Sequence, residues 1–409
     1  MLENPASLLT HLLAGGPEAA KIPLMMLFVF GAAKLSAELF ERLKQPGIVG
    51  EILAGVLIGP QVLGLVQPNE FLTALADLGV MFLLFNVGLE VKASEMFKVG
   101  PTALIVAILG VIVPFALGWG LLSLWGEPQI EAIFVGAAMV ATSVGITAQV
   151  LASKGLLAAK ASKIILAAAV IDDILGLLVL AAVSSMASGT VQILDLISTA
   201  VVAVGFTILV VWFGGRTVGK LVQRADEKLR VAEGQFALAM VLLFALSVLA
   251  IYAGVAAIIG AFLAGMALSE SSGPRMHDLS HGVTELLVPF FLAGIGLHFD
   301  IAVFANPSTL YLAALILVAA VVSKVIGCGL GALKLGMADA LRVGVGMMPR
   351  GEVGMVVAQI GMSLGVISHH VYGVVVFMAV TTTLLAPPLL KRAYSDLTRS
   401  QPKQTFRIG

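Results

Sequence analysis

Apolar stretches of about twenty residues, separated by short polar joints, follow one another along nearly all of the 409-residue chain. A helix of that length reaches across the hydrocarbon core of a bilayer. The pattern predicts thirteen such spans, at residues 21–43, 47–66, 71–91, 100–125, 130–152, 160–186, 191–214, 234–253, 255–270, 282–299, 308–333, 340–366 and 370–392. The expected fold class is an all-α polytopic membrane protein. Composition agrees, with 59% of residues hydrophobic and 12% charged, about half the charge of an ordinary soluble domain.

Basic residues fall on alternate joints. Twenty of the 24 Lys and Arg residues lie in one set of connections and in the C-terminal tail, among them Arg42, Lys98, Lys154, Arg230, Lys334, Lys391 and Arg407; the opposite set holds none. The excess of Lys and Arg in cytoplasmic loops then puts the N-terminus outside and the C-terminus in the cytoplasm, in a multi-pass protein of the inner (cytoplasmic) membrane. Net charge is zero and no basic tract is long enough to suggest nucleic acid. Cys328 is the one cysteine, which excludes an intrachain disulfide. The first 20 residues carry no basic segment before an apolar core, so no cleaved signal peptide is expected.

The chain also repeats itself. Phe82-Leu83-Leu84-Phe85-Asn86-Val87-Gly88-Leu89 matches Phe290-Phe291-Leu292-Ala293-Gly294-Ile295-Gly296-Leu297 at an offset of 208. Leu53-Ala54-Gly55 matches Leu263-Ala264-Gly265, and Ala148-Gln149 matches Ala358-Gln359, both at 210. Spans one to six thus pair with eight to thirteen, and a displacement of seven spans inverts their orientation. Inverted repeats of this kind build secondary transporters, whose sites lie at midplane between the halves.

Five ionisable residues lie near span centres: Asp172 and Asp173 in the sixth, Lys324 in the eleventh, Arg350 and Glu352 in the twelfth. A carboxylate at the bilayer centre costs roughly 2.5–3.5 kcal/mol on insertion scales, and two side by side repel each other. Three acids against two bases leave one negative charge, which suits one monovalent cation or one exchangeable proton. A helix-packing ion network is the other reading. It suits an adjacent acidic doublet poorly, but suits Arg350 and Glu352 well, as a structural charge pair near the site. The fifth and twelfth spans share a further feature. Thr142, Ser143 and Gly145 in one, and Pro349, Gly351 and Gly354 in the other, weaken the helix at repeat-related places. Two discontinuous helices crossing at midplane are expected, because broken backbone at that depth is tolerated only within protein or around water.

Other polar residues carry less. Lys34 and Glu38, four apart, read as a helix-face ion pair; Asn86 and Gln149 as helix–helix hydrogen bonders; Glu51 and Glu285 as hydrated groups near cytoplasmic ends. The six histidines, His11, His277, His281, His298, His369 and His370, fall in or beside loops without metal-ligand spacing.

Together, Ile171-Asp172-Asp173, Ala141-Thr142-Ser143, Ser323-Lys324 and Pro349-Arg350-Gly351-Glu352 resemble the monovalent cation:proton antiporters. The likeness is to the NapA-like Na+/H+ exchangers of the branch that also contains Kef-type potassium systems, and it runs over all thirteen spans. The resemblance implies that Asp173 is the principal ion ligand, that Asp172 forms a salt bridge with Lys324, and that Thr142, with Ser143 beside it, lines the site at the unwound crossing. It further implies an elevator-like motion of an ion-translocating core, 100–186 and 308–392, against a dimer-forming scaffold, 21–92 and 234–300. Residues 191–232 would form a linker helix and a basic cytoplasmic loop.

The expected activity is exchange of Na+, or Li+, for protons by alternating access, electrogenic and without cofactor, in a lipid-embedded homodimer that is not an enzyme. A cation and a proton would compete for Asp173, since neither binds well once the other has neutralised it. K+/H+ antiport or a Kef-like efflux system is the alternative, although Kef-type chains typically carry Gln-Asp where this one has Asp172-Asp173. A cation channel could use the same charges, but a buried lysine suits alternating access better. An organic-anion symporter would be repelled by the acidic doublet. An intramembrane aspartyl protease needs two acids facing each other across a water, whereas neighbours on one helix diverge by about 100°.

Overall fold

The computed structural model describes residues 18–43, 45–91, 93–187, 193–213, 233–299 and 306–399, and every α or β element among them is a helix. In chain order these are α1 (Glu18–Arg42), α2 (Gly47–Ile58), α3 (Glu70–Glu90), α4 (Ala93–Trp125), α5 (Gln129–Val140), α6 (Val144–Ser153), α7 (Lys160–Ala187) and α8 (Ile193–Phe213). They continue with α9 (Gly234–Tyr252), α10 (Ala257–Leu268), α11 (Pro274–Leu297), α12 (Pro307–Gly331), α13 (Met337–Gly346), α14 (Glu352–Ser363), α15 (His369–Ala393) and the short α16 (Ser395–Arg399). Nine stretches among the described residues are long and apolar enough to cross a bilayer. Shorter apolar helices at Gly47–Ile58, Ala200–Val210, Ala257–Leu268 and Val353–Met362 fall within four more of the expected spans. The basic loop at 214–232 and the tail from 400 onward lie outside the described residues.

Element ends follow local chemistry. The second span stops at Ile58 rather than 66, because Pro60 cannot donate to a continuing helix. The chain turns back there through Gly64, whose φ is +63°. Asn69 opens α3 by accepting the Leu72 N–H on its side-chain oxygen at 2.9 Å. Helices α4 and α11 begin seven or eight residues before the apolar run, with Pro274 at the first position of α11. The extra turns carry charged residues, Glu95 and Lys98 in α4 and Arg275 and Asp278 in α11, so hydrophobicity alone did not mark them, and those of α11 place His277 and His281 on a helix.

The helices sort into two groups by contact. One comprises α1, α2, α3, α9, α10 and α11; the other comprises α4 to α7 and α12 to α15. Helix α8 touches α7 and α10, and the seam between the groups includes α3 against α6 and α2 against α15. Within the first group the backbones meet at glycines. A Cβ on Gly55 would overlap the Ala293 carbonyl, and one on Gly296 the Ile52 carbonyl. Likewise, Gly265 lies against the Phe85 carbonyl and Gly88 against that of Phe262. The second pair of contacts joins α10 to α3 through the residues that stand 208 to 210 positions from those joining α2 to α11.

Candidate functional site

Both expected breaks are present, and they touch. Helix α5 ends at Val140 and α6 starts at Val144; α13 ends at Gly346 and α14 starts at Glu352. The Ser143 N–H donates to the Pro349 carbonyl at 2.8 Å, tying one unwound segment to the other. A Cβ on Gly351 would fall 2.6 Å from Ser143 Oγ, so only glycine lets the strands cross this closely. A helix end leaves its last carbonyls without partners, and here side chains supply them. Thr147 Oγ1 donates to the Gly346 carbonyl at 2.6 Å, and Thr142 Oγ1 approaches that of Met347 at 3.5 Å.

Arg350 serves the other end. Its guanidinium donates to the carbonyls of Ala141 at 3.0 Å and of Val140 and Ala320 at 3.4 Å, with no exposed surface. A cation on the carbonyls that close α5 offsets the negative end of that helix's dipole. The Arg350 peptide is itself clamped by α15. Its N–H donates to Thr382 Oγ1 at 3.0 Å, and Thr383 Oγ1 donates to its carbonyl at 2.7 Å. Thr382 and Thr383 were missed in the sequence. The signal was there, three consecutive threonines at 381–383 in the middle of an apolar span. Arg350 thus meets backbone, and the side chain of Glu352 lies outside the described residues.

The doublet on α7 divides between two environments. Asp172 faces α12, where Lys324 Nζ stands 3.0 Å from its Oδ1, and neither side chain has exposed surface. The other oxygen, Oδ2, is buried with no hydrogen-bond partner among the described residues. A glycine on α4 makes room for this pair, since a Cβ on Gly110 would fall 2.7 Å from Cys328 Sγ and 3.2 Å from Lys324 Nζ. Asp173 points elsewhere, as adjacent helical residues must. It is partly buried and lines a cavity of about 10 Å3 with Leu84 of α3, Val144 of α6 and Phe262 of α10. That cavity sits on the seam between the two helix groups and is about large enough for one water.

Larger openings flank the seam. A polar cavity of about 410 Å3 lies between α3, α6 and α11, at the end of the molecule that carries Lys154. Its lining includes Leu83, next along α3 to the Leu84 beside Asp173, together with Asn86, Gln149 and Glu285. A narrower, mostly apolar cleft of about 100 Å3 lies at the opposite end of α3 and α11, against Met355 of α14.

The secondary expectations fare unevenly. Asn86 bonds across helices as expected, its amide donating to Thr284 Oγ1 at 2.6 Å. Lys34 does not pair with Glu38. It stands 3.3 Å from both Glu51 and Glu285, while Glu38 takes Arg42 at 2.8 Å. Tertiary packing brings α2 and α11 onto the lysine's side of α1, and two acids there outweigh one neighbour on an exposed face. Glu51 is buried rather than hydrated for the same reason. Glu131, also buried, accepts from the Ser368 N–H at 2.8 Å and its hydroxyl at 2.7 Å, fastening the start of α5 to the loop before α15.

Comparison with known proteins gives a consistent picture. The sequence profile of the family described as sodium/hydrogen exchanger, transmembrane, matches residues 25–393. The chain is 34% identical to the high-affinity Na+/H+ antiporter NhaS3 of Synechocystis sp., over 93% of this chain and 92% of that one. It is also 34% identical to the Na+/H+-K+ antiporter GerN of Bacillus cereus, over 89% and 94%. In fold it resembles the sodium proton antiporter MjNhaP1 of Methanocaldococcus jannaschii, with a TM-score of 0.64 and 16% identity, over 91% of this chain and 96% of that one.

Proposed function

The chain belongs to the sodium/hydrogen exchanger family, and from that premise we propose that Asp173 is the group for which a monovalent cation and a proton compete. The protein is a multi-pass membrane antiporter that exchanges a cation for protons, and its family is one of transporters, not enzymes. The observation that carries the assignment of Asp173 is the division of the doublet. Asp172 is held by Lys324 at 3.0 Å within the second helix group, whereas Asp173 lies at the seam where the groups meet. A carboxylate at that depth is neutralised by a cation or by a proton, and binding of one displaces the other. If only the neutralised state crosses, the two flows are coupled.

The two helix groups correspond to the moving core and the scaffold. Their sorting by contact and the matched glycine contacts of α2 with α11 and α10 with α3 support an inverted repeat and alternating access. With the basic end in the cytoplasm, the polar cavity of about 410 Å3 is the cytoplasmic vestibule, and the conformation is open inward. Thr142 and Ser143 line the crossing beside the ion. Lys324 holds Asp172 and takes part in proton coupling, which makes the exchange electrogenic. Apolar side chains on the outer faces of α1 and α9, among them Leu35, Leu39, Val241 and Leu249, are covered by inner-membrane lipid and by a second copy of the chain.

Purified protein in proteoliposomes with an internal pH dye tests the assignment. Added NaCl or LiCl should collapse an imposed pH gradient, and Asp173→Asn should abolish the response while eluting and melting as a folded protein. Wild-type exchange by that variant would overturn the assignment. The name of GerN keeps K+ as a second cargo, and an equal response to KCl in the same assay would establish it.

A further inference from the structure

The wide cavity and the narrow cleft are lined by corresponding residues. Leu83, Asn86 and Glu90 line the first; Phe291, Gly294 and His298, each 208 positions on, line the second. From the other direction, His281 and Glu285 line the first, and Thr73 and Asp77, each 208 positions back, line the second. The same register that matches the sequence halves therefore exchanges one opening for the other. The wide one separates α3 and α11 from α6. In the narrow one α14, the repeat partner of α6, closes in with Met355. Val80 and Phe291 press on the start of α6, where a Cβ on Gly145 would fall 2.9 Å from Val80 Cγ2.

The charges at the two openings are not equivalent. At the wide one, Glu285 is answered by Lys34 of α1 at 3.3 Å. At the narrow one, Asp77 is exposed and has no ion-pair or hydrogen-bond partner among the described residues. The reason lies in α9, the counterpart of α1, whose sequence from Gly234 to Tyr252 contains no charged residue.

We infer that the narrow cleft is the second mouth of the transport path, closed in this conformation, and that Asp77 is the carboxylate that gathers cations there. This rests on the antiport reading above. An unanswered carboxylate between low-dielectric walls raises the local cation concentration. Being exposed, it loses that effect as salt screens it. Asp77 thus acts on capture of a monovalent cation from one face only and leaves the turnover of bound ions unchanged.

Right-side-out and everted membrane vesicles, which present opposite faces to added Na+, test this in the full chain. Asp77→Asn should raise half-saturating Na+ roughly two- to fivefold in right-side-out vesicles, with no change in everted ones or in maximal rate. The difference should vanish in added choline chloride, and Asp77→Glu should restore the wild-type value. An equal shift from both faces, a shift indifferent to ionic strength, or no shift would overturn the inference. A readout that needs no transport separates its failure from that of the antiport reading. With Cys328 buried, Thr73→Cys should react with a membrane-impermeant maleimide from the external face. If the wild-type protein moves no ions, the antiport reading falls. Labelling then still decides the cleft, which fails as an outer mouth if Thr73→Cys reacts from the cytoplasmic face or not at all.

Discussion

Replacing Lys324 with Gln leaves Asp172 buried without its charged partner. Across 3.0 Å the attraction between the two charges is about 5–6 kcal/mol at an effective dielectric constant of about 20. Much of it is offset by the desolvation of both ions, so the pair adds little net stability. Removing one partner is different, because the remaining charge keeps its desolvation cost, and breaking buried pairs typically costs about 3–5 kcal/mol. The upper half of that range is expected here. Asp172 Oδ2 has no hydrogen-bond partner among the described residues, and the Arg350 guanidinium is turned onto carbonyls. Asp172→Asn in the same chain removes the orphaned charge and should recover part of the loss, giving a coupling of roughly 2–3 kcal/mol. Thermal unfolding of the four purified proteins, wild type, each single variant and the double variant, in one detergent measures the cycle. Additive losses, or a Lys324→Gln protein as stable as wild type, would refute the pairing as a determinant of stability.

If two protons cross for each Na+, an imposed potential should drive exchange. Clamping it with potassium and valinomycin should shift both the rate and the equilibrium Na+ ratio, and indifference to the potential would mean one-for-one exchange. Gly110→Ala should destabilise the protein by about 1–3 kcal/mol by overpacking against Cys328 and Lys324. Adding Cys328→Ala should relieve part of it, as read by melting temperature. Outside the membrane, the Arg342 guanidinium beside Asp396 holds that carboxyl below the usual carboxylate range. Its contribution is therefore present above the ordinary value of about 3.9 and lost as pH falls through the lowered one. Asp396→Asn should melt slightly below wild type at neutral pH, and the two should converge in acid.

The helices, the broken spans and the acidic doublet were legible in the chain because each is a local fact. Twenty apolar residues in a row have one inexpensive place to be, and Pro349, Gly351 or Ser143 at mid-span weakens the helix wherever that helix packs. The boundaries that slipped include those where turns with charged residues extend a helix past its apolar run, as in α11, and that of the second span, which ends early, before Pro60. Partnership was not local. Lys34 and Glu38 satisfy the helix spacing rule, yet Lys34 chose Glu51 and Glu285 because packing delivers two acids, one of them buried, to its side. Asp172 and Lys324 are 152 residues apart, and only the rotation of α7 against α12 decides that Asp172 meets the lysine while Asp173 turns to the seam. Thr382 and Thr383 gain their role only where α15 is laid against the break at Arg350. Transfer of side chains out of water is set residue by residue and can be read along the chain. Which buried polar groups satisfy one another depends on how helices distant in sequence face each other, and that is decided in three dimensions.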